Sequence, residues 1–106
     1  MNFTSKALKN TDGFSWKSAS SKHFAYYLEA KSPAERGIEI IKAFTENGRS
    51  RTENLLGAGS KLKIELFLVD SHKRMKEMTG GYESNAWANG TLQASVYNDK
   101  IKAMDR

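Results

Sequence analysis

The chain has 106 residues, 39% hydrophobic and 27% charged, with a formal charge of +5 from 17 Lys/Arg against 12 Asp/Glu. That length fits one domain with a modest core, and the composition is that of a folded chain. No run of about 18 apolar residues indicates a bilayer-spanning helix, and zero cysteines exclude disulfides, thiolate metal sites and cysteine nucleophiles.

Met1–Lys9 lacks the apolar core of a signal peptide, which leans towards a cytoplasmic protein with no membrane partner. Residues 1–31 carry five Lys against Asp12 and Glu29, a balance of +3. Residues 32–60 are neutral and residues 61–106 carry +2, with no block of five like charges. So spread a charge reads as a solvated basic surface more readily than as a nucleic-acid stripe.

Residues 1–21 are polar and irregular. They read as an extended N-terminal arm whose Phe14 and Trp16 dock on the domain, with Met1–Asn10 loose. Packing explains Trp16 better than a ligand platform does. Lys22–Glu29 alternates, with Phe24, Tyr26 and Leu28 on one face and His23, Ala25 and Tyr27 on the other, and predicts a strand.

Ser32-Pro33-Ala34-Glu35 combines an N-cap, a first-turn proline and a capping box. It predicts one long helix to about Leu56, carrying Ala34, Ile38, Ile41 and Phe44 or Thr45 on its apolar face. Asn47-Gly48 is its expected weak point. Lys61–Asp70 follows as the clearest strand, with Leu62, Ile64, Leu66 and Leu68 on one face and Phe67 and Val69 completing the other. Asp70-Ser71 caps a short helix with Met75 and Met78 inward, ended by Gly80-Gly81. Asn89-Gly90 is a two-residue hairpin signal joining strands around Ser84–Ala88 and Thr91–Tyr97.

The expected fold is therefore α+β in the order β-α-β-α-β-β: a small, mostly antiparallel or mixed sheet with a long and a short helix packed on one face. Residues 22–102 read as a single α+β domain and residues 103–106 as a tail.

The catalytic inventory is thin. His23 and His72 lie far apart in the chain, without a His-x-x-x-His pair or a carboxylate at ligand spacing. No phosphate-cradling loop or nucleophile elbow occurs. No catalytic or metal-ligating residue is assigned.

The pieces His23-Phe24-Ala25-Tyr26-Tyr27, Leu66-Phe67-Leu68-Val69-Asp70-Ser71, Met78-Thr79-Gly80 and Asn85-Ala86-Trp87-Ala88-Asn89-Gly90 come in a telling order. Over about residues 22–102 that order resembles the N-terminal subdomain of gluzincin metallopeptidases, the thermolysin-like and peptidase MA-like group. The resemblance implies a sheet whose edge holds an extended substrate, with Asn85, Ala86 and Trp87 as the matching edge residues. The zinc-binding His-Glu-x-x-His half is absent from these 106 residues. Zinc and peptidase activity are therefore expected only if such a segment follows, and this chain alone is expected to be inactive.

Two functional expectations result. The first is a non-catalytic domain, a fragment or a stand-alone relative, that binds an extended peptide or protein segment at its sheet edge and can form a homodimer. The second is a small basic module for nucleic acid or another anionic partner, using Lys61, Lys63, Lys73, Arg74 and Lys76 with an exposed Tyr27.

Overall fold

The computed structural model describes residues 4–56, 63–81, 84–89 and 91–100, apart from the side chains of residues 49–56. The elements run α1 (Ser5–Lys9), β1 (Trp16–Ser20), β2 (Phe24–Glu29), α2 (Pro33–Arg36), α3 (Ile38–Leu56), β3 (Ile64–Val69), α4 (His72–Thr79), β4 (Ala86–Asn89) and β5 (Leu92–Val96). The α+β class is as expected, and the sheet is mixed. Its order is β1-β2-β3-β5-β4, with β2, β3 and β5 parallel and the edge strands β1 and β4 antiparallel to their neighbours.

The central strand of the sequence is the central strand of the sheet. Both faces of β3 are apolar, so both need a cover. Leu66 and Leu68 meet Phe24, Tyr26 and Leu28 from β2 under Ala34 and Ile41 of α2 and α3. Phe67 and Val69 meet Leu92, Ala94 and Val96 from β5 under Met75 and Met78 of α4 and Leu8 of α1. The expectation of helices on one face is thus corrected: α2 and α3 cover one face, α1 and α4 the other.

The long helix is broken early and not at Asn47-Gly48. Gly37 separates α2 from α3, whereas α3 continues through Gly48 to Leu56. The close approach of Tyr97 keeps residue 37 a glycine, because a side chain there would begin 3.0 Å from the Tyr97 hydroxyl and 3.3 Å from the Pro33 carbonyl. Ser32 caps α2 through the Glu35 N–H, but Glu35 reaches back to the Lys31 N–H at 2.6 Å rather than to Ser32. Lys31 itself turns at a φ of 64°.

The N-terminal residues are more structured than a loose, extended arm. Thr4 caps α1, Leu8 of α1 is buried, and the whole of β1 pairs with β2, from Trp16↔Glu29 to Ser20↔Ala25. Serine-rich β1 lacks apolar alternation because it is an edge strand with little to bury. Phe14 and Trp16 dock as expected, with Trp16 stacked on Phe14 at 5.4 Å and edge-on to Phe67 at 5.2 Å.

Candidate functional site

The site is built from β4, which closes one side of the sheet. Asn89 pairs with Leu92, so Asn89 belongs to the strand rather than to the expected turn, whose Gly90 lies outside the described residues. The change from the expected turn moves the register by two residues, which leaves every side chain on its face.

Register and one bond determine where the backbone points. Val96 donates its N–H to the Asn85 carbonyl at 2.7 Å. Asn85 and Val96 therefore form a hydrogen-bonded pair, and such pairs alternate along an antiparallel ladder. Trp87↔Ala94 and Asn89↔Leu92 keep that phase, while Ala86↔Ser95 and Ala88↔Gln93 fall between. The N–H and C=O groups of Ala86 and Ala88 point away from β5, out of the sheet edge. The Ser84 hydroxyl donates to the Ala86 carbonyl at 3.0 Å and uses one of its two lone pairs.

The strand is fixed just before its start and at Trp87, between the two outward alanines. The Trp87 side chain lies on the α4 face, packed against the core, and its indole N–H donates to the Met75 sulfur at 3.2 Å. His72, in the first turn of α4, donates from Nε2 to the Asn85 side-chain carbonyl. Asn85 and Trp87 are half-buried, while Ala86, Ala88 and Asn89 are exposed. The stretch Ser84–Thr91 contains no charged residue. The opposite edge differs: Lys17 is exposed on β1 and Lys22 just beyond it, a charge that discourages strand addition.

Asn85, Ala86 and Trp87 thus sit together on one edge, and Ala88 joins them through its backbone. The basic residues do not assemble in the same way. Lys61 lies outside the described residues. Lys63 immediately precedes β3 and Lys73 lies in the first turn of α4 beyond the other end of β3, so the strand, about 20 Å long, lies between them. Arg74 bonds Glu29 through Nε at 3.0 Å and Nη2 at 2.5 Å, reaches the Gly13 carbonyl at 3.0 Å, and lies 3.7 Å over the Phe14 ring. The hydrogen bond to Glu29 raises its pKa despite opposing burial. Lys73 and Lys76 are the exposed bases of α4. Tyr27 is not an open platform, because it stacks on Phe67 at 4.6 Å beneath the Lys9 ammonium, 4.4 Å from its centroid.

The two histidines lie at opposite ends of the sheet, His23 before β2 and His72 after the parallel β3. Among the described residues no group of three His, Asp or Glu side chains is placed to hold a metal ion. No described helix is long and apolar enough to cross a membrane.

One polar cluster escaped the sequence reading. Glu46 of α3 accepts from the Ser21 hydroxyl at 2.5 Å, the His23 N–H at 2.7 Å and His23 Nδ1 at 2.5 Å. Fully buried Tyr26 shares its hydroxyl with Ser21 at 3.0 Å and Thr45 at 2.6 Å. Burial pulls the Glu46 pKa up, but the bonds from Ser21 and His23 outweigh it and hold the carboxyl below its ordinary value. These partners lie 23–25 residues apart, beyond any local motif. The cluster ties α3 to the β1–β2 turn.

No family model, no curated protein and no solved structure matches the chain.

Proposed function

We propose that this chain is a binding domain that captures an extended peptide or protein segment by adding it as a strand beside β4. The observation that carries this reading is the pair of outward-facing backbone units at Ala86 and Ala88, on an exposed strand without charge. Main-chain bonds of this kind give affinity with little demand on side-chain sequence. The contrast with the lysine-bearing β1 edge supports β4 as the pairing edge. The sequence resemblance to the gluzincin N-terminal subdomain supports the same residues, and zinc chemistry would belong to a segment beyond these 106 residues. In this chain the residues Asn85, Ala86 and Trp87 present and position the edge; none of them is assigned a catalytic step.

The test is an amide-resolved titration of the isotopically labelled chain with a pool of N-acetylated, alternating hexapeptides. Shifts centred on the Ala86 and Ala88 amides, with slowed hydrogen exchange there, are the expected result. Shifts centred on α4 around Lys73 and Lys76, or none at the edge, would overturn the reading.

A further inference from the structure

The outward set on β4 is symmetric about Trp87. Ala86 and Ala88 flank it at one residue each and are the two strand positions whose backbone groups face away from β5. An antiparallel copy placed so that Ala86 faces Ala88 of the second copy brings Ala88 opposite Ala86 in turn. Each of these two contacts is a hydrogen-bonded pair, so every outward N–H and C=O of the two alanines finds a partner. Trp87 then faces Trp87 across the two-fold axis as a non-hydrogen-bonded pair, the closer of the two spacings. A two-residue slip in either direction, the smallest that keeps outward groups against outward groups, pairs one alanine with its own copy and sets the other opposite a residue outside β4.

Charge favours the same occupant. The chain carries +5, which opposes self-association in general. Ser84–Thr91 is free of charge, so this self-pairing sets no like charges against each other along the strands. The side chains of Ala86 and Ala88 are small and exposed, and they allow close approach on the face away from α4. The Ser84 hydroxyl takes one lone pair of the Ala86 carbonyl and leaves the second.

We infer that, in the absence of a peptide, the β4 edge is occupied by β4 of a second copy of this chain. The result is a two-fold dimer with a continuous sheet and Trp87 against Trp87 at its axis. This inference rests on the reading of β4 as a pairing edge. Peptide capture and self-association then compete for the same backbone groups.

The test is sedimentation of the whole chain over a rising concentration series, with and without a synthetic peptide of residues Ser84–Thr91. The expected result is a concentration-dependent dimer that the peptide dissociates, while the same peptide N-methylated at Ala86 and Ala88 does not. Ala88→Pro removes an outward N–H and leaves the β5 ladder intact. It should weaken the dimer about tenfold or more, since each dimer loses two inter-strand hydrogen bonds. The chain has no cysteine, so Trp87→Cys gives one defined thiol per copy, and with dissolved dioxygen as the added oxidant two of them should join as an intermolecular disulfide in this register. A wild-type chain that stays monomeric while hexapeptides still shift the Ala86 and Ala88 amides overturns self-pairing and leaves the edge reading standing. A dimer indifferent to the Ser84–Thr91 peptide and to Ala88→Pro uses another surface and overturns the inference. Loss of both dimer and peptide binding removes both readings.

Discussion

Arg74 Nη2 donates to Glu29 Oε1 at 2.5 Å across 45 residues of sequence. The pair joins α4 to the end of β2, and Glu29 is 8% exposed. The same guanidinium holds the Gly13 carbonyl and covers the Phe14 ring, so one side chain gathers three segments on the α4 side of the sheet.

Removing Arg74 leaves a largely desolvated carboxylate without its cation. Arg74→Met should cost about 2–4 kcal/mol of stability, measured by urea denaturation. Glu29→Gln in the Arg74→Met background should recover part of the loss. Full additivity in that double-mutant cycle would show that the pair is not coupled.

Glu46 gives a pH signature. Its folded pKa is held below the ordinary 4.5, so the stability it contributes is complete above that value and is lost as pH falls through the lower, folded pKa. Thermal unfolding of wild type and Glu46→Gln should therefore differ most at neutral pH and converge in acid, below the ordinary carboxylate value. A difference that grew on acidification would contradict the assignment.

Two glycines of the α2–α3 segment should respond in opposite directions. Gly37→Ala drives a methyl group against Tyr97 and Pro33 and should destabilise by about 1–3 kcal/mol. Gly48 has nothing within 4 Å of an added Cβ, lies inside α3, and Gly48→Ala should stabilise by about 0.5–1 kcal/mol. Chemical denaturation of the two variants beside wild type checks both signs.

Peptide capture at β4 joins neutral amide groups on an uncharged strand. Its affinity should change little between about 0.05 M and 0.3 M salt. Fluorescence anisotropy of a dye-labelled hexapeptide across that range tests this. A steep fall with salt would transfer the binding to Lys63, Lys73 and Lys76 and to an anionic partner.

Much of the local structure was legible because it is written in short periods. Alternation in Phe24–Leu28 and Ile64–Val69, the Ser71 cap and Gly80 end of α4, and the inward Met75 and Met78 all need only a few neighbouring residues to be read. Sequence order, through the resemblance, names Asn85, Ala86 and Trp87 as edge candidates, and the structure has Ala86 and Trp87 in the edge strand β4 with Asn85 just before it. Their outward or inward phase was not legible, because phase depends on which strand lies beside them. β1 was missed for a related reason: an edge strand buries little, so its serines carry no hydrophobic period.

By itself, then, the sequence determined the α+β class, the core strand Ile64–Val69, the start of α2 at Ser32 and the uncharged stretch Ser84–Thr91. The tertiary structure alone decided that helices cover both faces, that the long helix breaks at Gly37, that Glu46 meets Ser21 and His23, and that Ala86 and Ala88 face outward. The physical reason is range. Periodicity and capping act over one or two turns of chain, whereas sheet order, steric limits at a crossing and the direction of an edge are set by groups brought together from distant positions.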